Sequence, residues 1–141
     1  MPSIREQVRN NAVALISLVV AFSSLGYNTW RNERTESNRN VRAAGFELIR
    51  ELGSLQQVIF YAHFVAGDPR GELRMGWADV LTIGDLAAVM PGEVEPRAGQ
   101  LAVTWRADVA GLGTDDAAYG RIDEAVDGLR SATLAALRAL D

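Results

Sequence analysis

The residues of this chain that could carry chemistry are few, and their types exclude several kinds of site. The sequence has a single histidine, His63, and no cysteine. One histidine excludes a multi-histidine metal site, and the lack of cysteine excludes zinc fingers, thiolate nucleophiles and disulfide scaffolds. All 14 basic residues are arginine, so the lysine of a Schiff base or a phosphate-binding loop is missing too. With no nucleophile, phosphate-binding or metalloprotease motif in the sequence, we predict a non-catalytic protein without cofactor or metal.

His63, Trp77 and Trp105 could form a ligand pocket between helices, although core anchors are the favoured interpretation of both tryptophans. His63 lies one residue from an apolar stripe and has no carboxylate at helical spacing. A half-buried ring with one hydrogen bond is therefore its favoured interpretation. Met75 and Met90 could serve as haem ligands with His63, but single methionines on apolar faces usually fill a core.

Several acidic residues fall on one side of the last predicted helix, opposite its leucines. A metal site would need these carboxylates to converge, whereas a solvated helix face needs nothing further. A di-iron site would need two Glu-x-x-His pairs, which one histidine cannot supply. The sequence therefore predicts a solvated acidic face made of Asp116, Asp123, Glu124 and Asp127.

Charge is distributed unevenly along the 141 residues. Residues 1–50 carry a net charge of +3 and residues 51–141 a net charge of −7, in agreement with the formal −4 of the whole chain. The acidic part lacks the basic footprint that nucleic acid requires, so no nucleic-acid partner is expected. Exclusive use of arginine indicates a GC-rich bacterial genome.

An uncharged stretch of 19 residues has the composition of a membrane span. Residues 12–30 read AVALISLVVAFSSLGYNTW, and as a helix they would be about 28 Å long, close to the hydrocarbon thickness of a bilayer. Tyr27, Trp30, Arg31 and Arg34 form the interface anchors expected where a span leaves the lipid. A cleaved signal peptide and the core helix of a soluble protein are the competing interpretations.

The arginines on the two sides of this span predict its orientation. Arg5 and Arg9 precede it, and four arginines follow within a dozen residues. The positive-inside rule then favours a cytoplasmic over a periplasmic C-terminal domain in a single-pass protein of the bacterial inner membrane.

Four small residues recur along one side of the span, at spacings of 3, 4 and 3: Ala14, Ser17, Ala21 and Ser24. Small residues let two membrane helices approach closely, which predicts a packing stripe for self-association or for other membrane proteins. The abundance of alanine and serine in this stretch explains the pattern equally well, because it contains no GxxxG.

The remaining sequence predicts a helical body. Residues 1–11 form a short tail, residues 31–40 a polar stalk that either continues or breaks the membrane helix, and residues 41–141 the body. A heptad runs from Val41 to Ala66, and its seam comprises Val41, Leu48, Leu52, Leu55 and Ile59.

Three more helices are predicted after this heptad. They cover Glu72–Met90, a stretch from Pro96 to Leu112, and a stretch from a Thr114 cap to the C-terminus. In the first of them the inward positions are Leu73, Trp77, Val80, Leu81, Gly84 and Ala88. The predicted fold is all-α: one transmembrane helix followed by an antiparallel bundle of about four helices.

Two functions fit this architecture. The first is a membrane-anchored adaptor, scaffold or accessory subunit of a membrane protein complex, whose partners are the bilayer and other membrane proteins or a second copy. The alternative is a small sensory domain with a ligand pocket near His63, Trp77 and Trp105, which signals through a partner.

Overall fold

A computed structural model describes residues 11–140, and every regular element in that range is helical. Its four α-helices are α1 (Ala12–Phe64), α2 (Leu73–Ala87), α3 (Val94–Asp108) and α4 (Asp116–Arg138). Two short 3-10 helices, Pro69–Gly71 and Val109–Gly111, lie in the connections. The all-helical prediction is thereby confirmed for the described residues. Most of the predicted N-terminal tail, with Arg5 and Arg9, lies outside them, as does Asp141.

Helix α1 includes the polar stalk, because residues 31–40 do not interrupt it. The Thr35 hydroxyl donates to the Arg31 carbonyl at 2.9 Å, which satisfies this polar group within the helix. The predicted span and the first helix of the body are therefore one element. The chain nevertheless divides into two compact units, residues 1–38 and residues 39–141.

The described part of the first unit is helical from Ala12 onward, and its apolar side chains are exposed. An 18-residue window of α1 has a mean hydropathy of 1.6, none of it is buried, and its length and composition suffice to cross a membrane. The Ser17 hydroxyl donates to the Val13 carbonyl at 2.8 Å, the local bond that makes serine tolerable in an apolar helix. The Tyr27 and Trp30 ring centroids are 6.2 Å apart, and the Arg34 guanidinium lies 5.5 Å from the Trp30 centroid.

The second unit is built around one hydrophobic core to which all four helices contribute. The seam residues Leu48, Leu52, Leu55 and Ile59 are at most 1% exposed, and Val41 is half-buried against the same core. This seam therefore pairs within the chain. Its main partners are Val80, Ile83, Ala87, Val94, Ala98, Leu101, Trp105, Ile122, Val126 and Leu129.

Two glycines let the helices of the second unit approach closely. A Cβ atom at Gly45 of α1 would lie 2.6 Å from Leu137 of α4, and one at Gly76 of α2 would lie 2.4 Å from the Trp105 indole of α3. Contacts this short exclude any larger residue unless a neighbour moves. Gly45 and Gly76 thus determine where α1 meets α4 and where α2 meets α3.

The predicted inward face of α2 is correct at Leu73 and Val80, which contact the core, and wrong at its other four positions. The buried positions of α2 are Gly76, Asp79, Val80, Ile83 and Ala87. Leu81 is 67% exposed and Trp77 37% exposed, and Gly84 and Ala88 are exposed as well. The indole of Trp105 packs on the bare backbone of Gly76, which turns Gly76 rather than Trp77 toward the core.

The predicted starts of α3 and α4 are corrected by one or two residues. Helix α4 is capped by Asp115 and not by Thr114, because the Asp115 carboxylate accepts a hydrogen bond from the Ala117 amide at 2.9 Å. Helix α3 begins at Val94, so Pro96 lies within its first turn.

Replacing Gly76 with alanine is expected to destabilise the body by about 1–3 kcal/mol, because the new methyl group would overpack against the Trp105 indole. The matched control is Gly84→Ala in the same helix, where an added Cβ meets nothing within 4 Å. This control should be stabilised by up to about 1 kcal/mol through helix propensity. Thermal unfolding followed by circular dichroism measures both. Equal midpoints for the two variants would contradict the packing.

Candidate functional site

His63 lies near the end of α1 and is held by the start of α4. Its Nδ1 atom lies 2.7 Å from the Leu112 carbonyl oxygen, which only accepts, so Nδ1 is the donor. Its Nε2 atom lies 3.2 Å from Oδ1 of Asp116. The ring stacks on Tyr119 and meets Phe64 edge-on, each at a centroid distance of 4.5 Å. Each ring nitrogen thus has a neighbouring oxygen, and Tyr119 covers one face of the ring.

The Nδ1 hydrogen bond and the contact with Tyr119 hold this end of α1 against the start of α4. Burial, together with the charges of Asp123 and Asp127, raises the pKa of Tyr119 above its ordinary value, so its hydroxyl stays protonated at neutral pH. Sequence reasoning missed Asp116 as the partner of His63. The two residues lie on different helices, and no local spacing connects them.

The two tryptophans of the predicted pocket meet each other. Trp105 is fully buried, and its ring lies 6.3 Å from that of Trp77 in a T-shaped arrangement. None of the three described cavities is lined by Trp77, Trp105 or His63. A ligand pocket formed by these three side chains stays a prediction.

Asp79 is a buried carboxylate on α2. The sequence pattern does not include it among the inward positions of this helix. It is only 8% exposed, and its Oδ2 atom has no hydrogen-bond partner among the described residues. Burial raises the pKa of Asp79 above its ordinary value, and a hydrogen bond from Ser54 opposes part of that rise. The Nε1 atom of Trp105 is a second buried polar atom without a partner in this range.

The acidic side of α4 is solvated, with one exception. Asp116, Glu124 and Asp127 are exposed, whereas Asp123 is half-buried. Burial and the neighbouring Asp127 raise the pKa of Asp123, and a hydrogen bond from Gln56 of α1 partly offsets that rise. Among the described residues, no three potential metal ligands come together.

Two exposed arginines fix connections between helices. Arg70 donates twice to Asp68 and lies 3.8 Å from the Tyr61 centroid, which ties the Pro69–Gly71 connection to α1. Hydrogen bonds from Arg70 lower the pKa of Asp68 to about 2. Arg121 of α4 pairs with Asp108 at the end of α3.

Two adjoining depressions lie between α3 and α4. The first, the apolar cavity, has a volume of about 610 Å³ and is lined mainly by the 91–93 connection and by small residues of α4 between Gly128 and Leu140. The second, the polar groove, has a volume of about 510 Å³ and is lined by Gln100, Thr104, Arg121 and Glu124 among others. Arg97 and Gly128 line both.

No protein-family model, curated protein or solved structure matches this chain. Any functional proposal must therefore be argued from its own residues.

Asp79→Asn is expected to raise the free energy of unfolding by about 1–3 kcal/mol at pH 7, because it removes a buried charge that is not fully paired. Since the pKa of Asp79 is raised by folding, the unfolded chain loses this proton first as the pH rises. Stability then falls until the folded carboxyl is ionised as well. Near pH 3 both states are protonated, and the variant should resemble the parent.

The matched control is Asp85→Asn, an exposed position on the same helix, which should change stability by less than about 0.5 kcal/mol at both pH values. Urea unfolding at pH 7 and pH 3 makes the comparison. A gain for Asp79→Asn that is larger at pH 3 than at pH 7 would mean that the sign is wrong.

Proposed function

We propose that this protein is a non-catalytic, single-pass membrane protein that acts as an adaptor, scaffold or accessory subunit through its helical body. The observation that carries the proposal is the apolar stretch of α1, of which no part is buried. Exposed apolar surface of this extent is unfavourable in water, and lipid removes that cost. Such a span would hold the helical body beside other membrane proteins, where it could bind them.

The side chains of this stretch support lipid as their surroundings. Val13, Ile16, Val19, Phe22 and Leu25 are each more than 60% exposed. The core helix of a soluble protein would bury such side chains. A signal peptide has a short apolar core followed by a small-residue cleavage site, whereas the apolar character of this stretch continues to Tyr27 and Trp30 and is followed by arginines.

Residues at the end of the stretch support its boundary and orientation. Tyr27 and Trp30 lie together, with Arg34 beside the Trp30 ring, an arrangement suited to the headgroup layer. More arginines follow the stretch than precede it, which supports a body on the cytoplasmic side of a bacterial inner membrane.

Contacts at the two ends of α4 support an antiparallel bundle as the form of the body. The Arg42 guanidinium near the start of this unit donates to the Leu140 carbonyl at 2.9 Å, beyond the end of α4. His63 at the other end of α1 meets Asp116 in the first turn of α4. Helices α1 and α4 thus run in opposite directions, as short connections between neighbouring helices require.

Partner binding needs a surface other than the heptad seam, because the core of the body buries that seam. The outer face of α2 is suited to this role. Trp77, Leu81, Gly84 and Ala88 are exposed on it, at the spacing with which one helix docks on another. Exposed aromatic anchors such as Trp77 commonly dominate the energetics of protein interfaces.

The sensory alternative is supported by the apolar cavity beside Arg97 rather than by a pocket at His63, Trp77 and Trp105. The Nδ1 atom of His63 is bonded to the Leu112 carbonyl, and Trp105 is fully buried in the core. The apolar cavity beside Arg97 is instead the feature suited to a ligand, and its volume lies within the range of small-molecule sites, about 300–1,000 Å³.

Photo-crosslinking in intact cells tests the adaptor proposal. With p-benzoylphenylalanine in place of Leu81, we expect one discrete adduct with another membrane protein, and its contacting region should be cytoplasmic. The control position is Glu124, which is also exposed but lies in the polar groove, and it should give no such adduct. Adducts only between copies of this chain, or equal adducts at both positions, would contradict the proposal.

A further inference from the structure

We propose that the surface between α3 and α4 binds an amphiphile, namely an alkyl chain that carries one anionic group. The alkyl chain would lie in the apolar cavity, and the anionic group would bind Arg97 where that cavity meets the polar groove. This ligand class goes beyond the adaptor role, and the site does not depend on whether α1 is anchored.

The apolar cavity has the size and lining that an alkyl chain requires. Its volume is about 610 Å³, within the range typical of ligand sites, about 300–1,000 Å³. Ala132, Ala135, Ala136 and Ala139 of α4 form much of its wall. Alanine side chains are too short to fill the space themselves, so an apolar ligand can gain contacts there that the chain does not make.

Arg97 supplies a cation at the edge of this cavity. Its Nη1 atom lies 3.9 Å from the position that a Cβ atom at Gly128 would occupy. The Arg97 side chain lines both the apolar cavity and the polar groove. Arg121 in the same groove is paired with Asp108. The Arg97 side chain has no ion pair or hydrogen bond with any residue between 11 and 140. Its guanidinium is available to bind a carboxylate or phosphate oxygen pair.

The change of polarity at Arg97 favours an amphiphile over a wholly apolar ligand. On one side of Arg97 the wall is mainly alanine, with Ser131 among it, and on the other side it includes Gln100 and Thr104. A neutral apolar ligand would leave the cation and these polar groups unused. Glu93 at the rim of the cavity and Glu124 in the groove disfavour a multiply charged head group, so the match is to a single negative charge.

Titration of the full chain in phosphatidylcholine nanodiscs, with ¹³C-methyl alanine as the reporter, tests the site directly. Dodecanoate should shift the methyl resonances of Ala135 and Ala136 saturably, and dodecanol, which has the same chain without the charge, should bind about tenfold more weakly. Discs that contain phosphatidylglycerol form a second arm. A shift there without dodecanoate would identify a membrane lipid, rather than a free fatty acid, as the source of the same chemistry.

Matched variants separate the charge from the cavity. Arg97→Gln should weaken dodecanoate binding about tenfold and leave dodecanol unchanged, whereas Glu93→Gln should strengthen or preserve dodecanoate binding. Ala135→Leu should abolish the shift of the remaining reporter, Ala136, by filling the cavity. Ala78→Leu, at an exposed position of α2, should leave both shifts unaltered. Equal binding of dodecanoate and dodecanol, or dodecanoate binding that survives Arg97→Gln, would overturn the proposal.

Discussion

Burial of one face of α1 is the interaction on which the body of this protein depends. Leu48, Leu52, Leu55 and Ile59 are almost completely removed from solvent, and the other three helices pack around them. Helices of 15 residues, such as α2 and α3, are marginal in isolation, so the shared core accounts for their stability. The same helix carries, over residues 12–30, an apolar surface that the described residues leave exposed. One helix thus has two apolar surfaces: the core of the body buries one, and the other requires surroundings that the described residues do not supply.

Regular features of the sequence were sufficient to predict the elements of the fold. The heptad spacing predicts the buried residues of α1 because a helix repeats its faces at that period. The Pro91-Gly92 turn predicts the end of α2, and the length and composition of residues 12–30 predict a segment able to cross a membrane. Each of these signals is local, since it depends only on residues that are close in the sequence.

Non-local contacts decided what the sequence could not predict. The orientation of α2 depends on the fit between Gly76 and the Trp105 indole, and the burial of Asp79 follows from that orientation. The partner of His63 lies 53 positions away in the chain. The apolar cavity beside Arg97 arises from a lack of side-chain bulk on α4, and no motif marks such a lack.

These contacts also distinguish the residues that hold the body together from those that remain available. His63, Trp105 and the heptad seam contact neighbours within the chain. The outer face of α2 and the surface around Arg97 are exposed, and the two proposals rest on them. An adaptor that also binds an amphiphile would respond to the lipids or fatty acids around it.

Flotation of carbonate-washed membranes tests most directly whether the uncharged segment resides in lipid. The full-length chain should rise with the bilayer fraction, and a matched fragment of residues 31–141 should stay at the bottom of the gradient. A full-length chain that remains in the dense aqueous fraction, or a mature chain that begins after residue 30, would contradict the account.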